Sequence, residues 1–180
     1  MIKQHWLTNA RHIYSPNCNE RPDKTDISLI VLHNISLPPG QFNTPYIADF
    51  FTNQLDKNAH PYFAQIAHLR VSSHLLIDRD GMQTQFVSFA MRAWHAGASR
   101  FKSRKNCNDF SIGIELEGTD NTPYTDAQYQ TLISTLVILK KHYPIDYAVG
   151  HADIAPGRKT DPGKQFDWQT ISTLINTPHH

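Results

Sequence analysis

The seven residues ISLIVLH at positions 27–33 restrict what this chain can fold into more than any other stretch. Branched apolar side chains fit a pleated strand better than a helix, and a continuous apolar run of this length reads as a buried strand. A buried strand needs neighbours and cover, and the remaining sequence offers both. The stretch 68–81, HLRVSSHLLIDRDG, reads as a strand closed by an Asp-Gly turn. MQTQFVSF after it alternates, so the pair reads as a hairpin. Ile112, Ile114 and Leu116 alternate within 109–118, a further strand, and YAVGH at 147–151 is a short strand ending at His151. The cover comes from three expected helices. One spans 46–55, with Tyr46, Ile47, Phe50 and Phe51 on one face. The clearest spans 125–143: Thr125 and Gln128 match a capping box, and Tyr129, Leu132, Ile133, Leu136 and Leu139 keep helical spacing. The last spans 167–176, capped by Asp167. Strands alternating with helices, plus one hairpin, predict an α/β (mixed α+β) fold with a central mixed β-sheet flanked by helices. Residues 1–26 read as a polar, loop-rich segment, and 97–108 as an exposed loop.

Length and composition narrow the function classes. A chain of 180 residues suits a single domain, 1–180, large enough to bury a core without disulfides. Seventeen Lys and Arg against sixteen Asp and Glu give a net charge of +1, which argues against a nucleic-acid partner. The two cysteines, Cys18 and Cys107, cannot build a disulfide framework or a four-cysteine zinc site. The first sixteen residues lack the apolar core of roughly 7–15 residues of a signal peptide. Neither ISLIVL nor TLISTLVIL approaches the ~20 residues needed to span a bilayer. The expectation is a soluble, cytoplasmic monomer with no membrane partner.

Histidine stands out, with eleven copies. His33 and His151 each end an expected strand, and Asp161 follows in GHADIAPGRKTDPG. Two imidazoles and one carboxylate leave zinc a fourth position for water, as in catalytic zinc sites. Each histidine could equally cap its strand by hydrogen bonding, and spacing alone leaves both readings standing. Glu115 and Glu117 share one strand face. They are either a solvated edge or, for Glu115, a base that takes a proton from water at the metal. Lys159 is either a cation that stabilises an oxyanion or a surface residue beside Arg158. Cys107 has neighbours Asn106, Asn108 and Asp109 and no adjacent cation, which disfavours a thiolate nucleophile. His60, His68, His74, His95 and His142 individually read as structural or surface residues.

Longer motifs carry a resemblance. VLHNISLPPG, FSIGIELEGTD with YTDAQY after it, and GHADIAPGRKTDPG followed by FDW occur in this order. With AHPYFAQIAHLRVSSHLLI and RAWHAGASRF they span nearly the whole chain. Together they resemble the zinc N-acetylmuramoyl-L-alanine amidases of the amidase_2 type, and most of all the cytoplasmic branch that acts on 1,6-anhydromuramyl peptides in cell-wall recycling. The resemblance implies a mixed sheet with helices packed on it, a fold shared with peptidoglycan recognition proteins. It implies one Zn2+ per chain held by His33, His151 and Asp161, with Glu115 and Lys159 catalytic. The implied partner is an anhydromuramyl-peptide substrate, cut at the amide between the muramyl lactyl group and L-alanine. Asn34 would then hydrogen-bond the stem peptide. Trp94 would stack on the sugar or line the groove, unless it is a core residue. Arg70 would meet a stem-peptide carboxylate through a bidentate pair. Close members tend to carry a basic residue immediately before the Cys of CNDF. Here that residue is Asn106, so one carboxylate contact would be either lost or taken over by Lys105. The rivals are a non-catalytic peptidoglycan-binding module and a zinc peptidase cutting within the stem peptide.

Overall fold

The computed structural model describes residues 1–179. The strand expected at 27–33 is found two residues further on, as β2 (Leu29–Ile35), a seven-residue strand in a six-stranded sheet. The other strands are β1 (Arg11–His12), β3 (Leu75–Ile77), β4 (Gln83–Gln85), β5 (Ser111–Glu117) and β6 (Tyr147–Gly150). Their spatial order is β6-β2-β5-β3-β4-β1. β6, β2, β5 and β3 run parallel, β4 returns antiparallel to β3, and β1 lies parallel to β4 at the far edge. The sheet is therefore mixed, and its parallel half is the half that carries the apolar strands.

β2 is apolar without alternation because both its faces are covered. Ile30 and Leu32 pack with Ile112, Ile114, Leu132, Leu136 and Leu139 in one buried cluster. Leu29 and Val31 pack on the opposite side with Cys107, Phe110, Val149 and Ile154. The helix α3 (Asp126–His142) supplies Leu132, Leu136 and Leu139. Its capping box forms as the sequence predicts: Thr125 Oγ1 accepts from the Gln128 N–H and Gln128 Oε1 accepts from the Thr125 N–H, each at 3.1 Å. Gln128 is fully buried, and its Nε2 donates to the Glu117 carbonyl at 2.9 Å. One side chain thus starts the helix and ties it to the end of β5. A third cluster gathers Leu37, Phe50, Phe51, Phe63 and Phe86 beside the sheet. It is built on α1 (Tyr46–Phe51) and the single-turn α2 (Phe63–Ile66).

The elements depart from their expected extents in five places. Residues 1–26 are more than loop. Ile2–Lys3 pairs with Trp6–Leu7, Arg11–His12 is the edge strand of the main sheet, and Cys18–Glu20 pairs antiparallel with Met91–Ala93. Only Leu75–Ile77 of the stretch 68–81 joins the ladder. The helix expected over 46–55 stops at Phe51, and Asn53 follows in the left-handed region at φ 62°. The helix expected over 167–176 is one turn, α5 (Gln169–Ser172). Asp167 Oδ1 accepts from the Gln169 N–H before it, and Asn176 bridges to Tyr147, drawing the chain out of the helix. The loop at 97–108 holds a small hairpin, Arg100–Phe101 against Arg104–Lys105. Among the described residues no helix is long and apolar enough to cross a membrane.

Candidate metal centre and active site

Parallel strands end on the same edge of a sheet, and residues in register share a face. Glu115 of β5 lies opposite His33 of β2, and Gly150 of β6 lies opposite Leu32. The next residue, His151, is therefore level with His33, and it opens α4 (His151–Ile154) rather than closing the strand. A row His151, His33, Glu115 runs across three adjacent strands at their C-terminal ends, where open α/β sheets hold their ligands. Glu115 and Glu117 are both buried, so the solvated-edge reading of this face does not hold.

Asp161 arrives from a loop tied down on several sides. Its carbonyl accepts from the Ala152 N–H at 3.0 Å. The next carbonyl, of Pro162, accepts from Tyr124 Oη at 2.6 Å and from Asn34 Nδ2 at 3.2 Å. Asp120 joins the same support, accepting from Asn34 Nδ2 at 2.7 Å and from the Thr160 hydroxyl. The outcome is a tight triad: His33 Nδ1 is 3.0 Å from His151 Nδ1 and 3.0 Å from Asp161 Oδ2, and His151 Nδ1 is 3.3 Å from Asp161 Oδ2. Two ring nitrogens aimed at each other need a proton or a cation between them. Ligand atoms bound at 2.0–2.1 Å around a tetrahedral zinc would lie roughly 3.3 Å apart, close to what these residues present. The other nitrogen of each ring is used elsewhere. His151 Nε2 donates to the Ala96 carbonyl at 3.0 Å, and His33 Nε2 faces His95 Nδ1 at 2.9 Å. Both Nδ1 atoms are thereby directed to one point, and the His33, His151 and Asp161 donor set can hold a metal ion.

Charge in the site is unevenly distributed. Burial would raise the Asp161 carboxyl, but hydrogen bonds from His151 and His33 hold it below the usual carboxylate range. Burial pushes the His33 imidazole down, favouring the neutral ring that a metal needs. Burial, reinforced by the nearby Asp161 charge, pushes Glu115 well up, while Lys159 pulls it back. Glu115 Oε2 is buried with no hydrogen-bond partner among the described residues. An unpaired buried carboxylate oxygen is costly, and functional sites are where such cost is retained.

These groups open into a cavity of about 800 Å3. His33, Glu115, His151, Lys159 and Asp161 line one end, and Phe51, Tyr62, Ile66, Leu69, Arg70 and Trp94 line the wall. Asn34 lies at the lining too, although its amide nitrogen is committed to Asp120 and Pro162. Trp94 is no core residue: it is partly exposed, and its indole N–H donates to Asn19 Oδ1 at 3.0 Å. Arg70 turns its guanidinium back onto the carbonyls of Ala67, His68 and Leu69. Lys105 is exposed on the small hairpin and is not among the residues that line the cavity. Cys107 is buried outside the lining, and burial pushes its thiol up. On sequence alone Asp120 carries no signal of its own, Arg158 reads as a surface neighbour of Lys159, and His95 reads as a structural or surface residue. Arg158 lines the cavity and donates to the Ala96 and Ala98 carbonyls at 2.7 and 2.8 Å.

Comparison with known proteins identifies the family. The family profile of N-acetylmuramoyl-L-alanine amidases matches residues 23–164. The chain belongs to that family of amidases. Within it, the chain is 55% identical to the 1,6-anhydro-N-acetylmuramyl-L-alanine amidase AmpD of Escherichia coli K12, over 98% of this chain and 97% of the relative. A crystal structure of a selenomethionine AmpD derivative superposes with a TM-score of 0.92 at 54% identity, covering 97% of this chain and 99% of the other. The E. coli amidase AmiD, in complex with the substrate anhydro-N-acetylmuramic acid-L-Ala-D-gamma-Glu-L-Lys, superposes with a TM-score of 0.60 at 31% identity, covering 82% of this chain and 57% of that one.

Proposed function

We propose that this chain is a zinc-dependent amidase that hydrolyses the bond between 1,6-anhydro-N-acetylmuramic acid and the L-alanine of muropeptides, in cytoplasmic recycling of cell-wall fragments. The observation that carries the reading is the intact row of His151, His33 and Glu115, closed by Asp161, in the lining of a cavity of about 800 Å3. The AmpD relative and the AmiD substrate complex supply the substrate class. A pure binding module would have no use for a complete donor set beside a buried carboxylate.

His33, His151 and Asp161 would hold one zinc ion per chain. When bound, zinc supplies a Lewis acid that polarises a carbonyl and acidifies water. Glu115 accepts the proton of the attacking water and returns it to the departing L-alanine amine. Its raised affinity for protons suits both halves of that transfer. The Lys159 ammonium, at the same end of the cavity, stabilises negative charge on the carbonyl oxygen. Asn34 positions the peptide next to the metal, Trp94 offers a flat face to the sugar, and Arg70 exchanges its local carbonyl contacts for a substrate carboxylate. Lys105 is left to the far end of a long stem peptide, beyond the cavity lining.

Metal-stripped protein with and without one equivalent of zinc, given 1,6-anhydro-N-acetylmuramyl-tripeptide, tests this by mass spectrometry. Free tripeptide plus anhydro-sugar, only with zinc, is the expected result. Intact substrate in both arms, or cleavage within the peptide, would overturn it.

A further inference from the structure

His95, in the stretch RAWHAGASRF, stands beside the metal centre. If His33 offers Nδ1 to a metal, its proton resides on Nε2, and that nitrogen lies 2.9 Å from Nδ1 of His95. The two rings meet edge to face at 90°, with centroids 5.0 Å apart. The second nitrogen of His95 lies 3.1 Å from Ser111 Oγ. The chain of donors then has one direction: His33 Nε2–H donates to His95 Nδ1, and His95 Nε2–H donates to Ser111 Oγ. A neighbouring residue does the same for the other ligand, since the Ala96 carbonyl accepts from His151 Nε2 at 3.0 Å. Both ligating rings are thus oriented by consecutive residues. That dipeptide is itself clamped, because Asn108 Oδ1 accepts from the His95 N–H at 3.1 Å and the Ala96 N–H at 2.8 Å. β5 leaves room for the ring only at Gly113, where a Cβ would come 2.5 Å from His95 Cγ.

We propose that His95 is a positioning residue for the metal centre: it fixes the tautomer and ring plane of His33, and Asn108, Ser111 and Gly113 hold it in place to do so. This rests on the reading of His33, His151 and Asp161 as the metal ligands. Such supporting contacts are usually made by carboxylates, carbonyls or water, and here an imidazole takes that place.

The test is zinc affinity of the full chain by competition with a chromophoric chelator. His95→Phe keeps a ring but offers no acceptor, and zinc binding should weaken about 10–100-fold. His95→Asn places Oδ1 where Nδ1 was, and should recover most of that loss. The visible absorption of the cobalt-loaded chain should shift in the Phe variant and return toward wild type in the Asn variant. Long-range proton–nitrogen correlation on zinc-loaded wild type reads the tautomers without any substitution. His95 should carry its proton on Nε2. Equal zinc affinity in wild type and His95→Phe would overturn the proposal, as would a His95 protonated on Nδ1. A wild-type chain that takes up no zinc would overturn the metal reading itself, and this proposal with it.

Discussion

The two ends of the cavity are built on different terms. At the metal end, His33 and His151 are buried, each ring is fixed at both nitrogens, and the Asp161 loop is held through Pro162 and Asp120. Along the wall, α2 is a single turn, Leu69 is 41% exposed, and among the described residues the Arg70 side chain bonds only within its own turn. Sheet register sets the first end to within a hydrogen bond, whereas the second is carried on local turns that can adjust. The difference separates chemistry, which tolerates little displacement, from recognition of a flexible peptide, which needs some.

Kinetics can break this comparison. Substitution at the metal end should lower kcat, and substitution along the wall should raise KM. The largest effect is expected from Glu115→Gln. Steady-state rates should show kcat reduced about 10²–10⁴-fold with zinc content unchanged. Retained turnover would remove Glu115 as the proton carrier and leave the two ends indistinguishable.

The next effect sharpens the comparison from beneath the metal end. His74 is fully buried, accepts from the Gly113 N–H at 3.1 Å and donates to the Met91 carbonyl at 2.9 Å. Burial, then the nearby Arg21 charge, pushes its imidazole down to about 3. A lowered folded value means the contribution is complete above about pH 6.5 and is lost as pH falls toward 3. In that window only the unfolded chain takes the proton, at about 1.4 kcal/mol per pH unit. Urea unfolding at pH 6.5 and 5 should show about 2 kcal/mol lost through this residue. His74→Gln should flatten that dependence, and an unchanged slope would place the acid sensitivity elsewhere. The smallest effect belongs to the wall. Arg70→Ala should raise KM up to about tenfold with kcat steady. A fall in kcat alone would mean that the wall also positions the reacting bond.

The sequence displays those parts whose cause is local. The strand at 27–33 follows from its unbroken apolar run, and α3 from its capping box and spacing. The helix stands where periodicity places it, and the strand begins two residues later and runs on to Ile35. Arg11–His12 is invisible to such reasoning, because two exposed residues carry no pattern and join the sheet only through β4. The final helix misleads because Asn176 is claimed by Tyr147 across 29 residues of chain. Glu117 shows the same limit in the site. Alternation puts it on a face with Glu115, but whether that face is wet depends on β2 and β3 flanking β5. His95 carries no motif of metal ligation. The one local hint is Gly113, a glycine inside an alternating strand, which signals a close approach without naming what approaches.

The triad also has an order in time. His33 and Asp161 are 128 residues apart. At a synthesis rate of about 5–20 residues per second, roughly 6–26 seconds separate the first ligand from the last. Within that interval β5 is complete once residue 117 is made and β6 once residue 150 is made, and only the Asp161 loop is still missing. The full donor set is therefore completed only after every strand of the sheet has been made. A nascent chain stopped just before residue 161 would carry two of the three donors, His33 and His151, on a nearly finished scaffold.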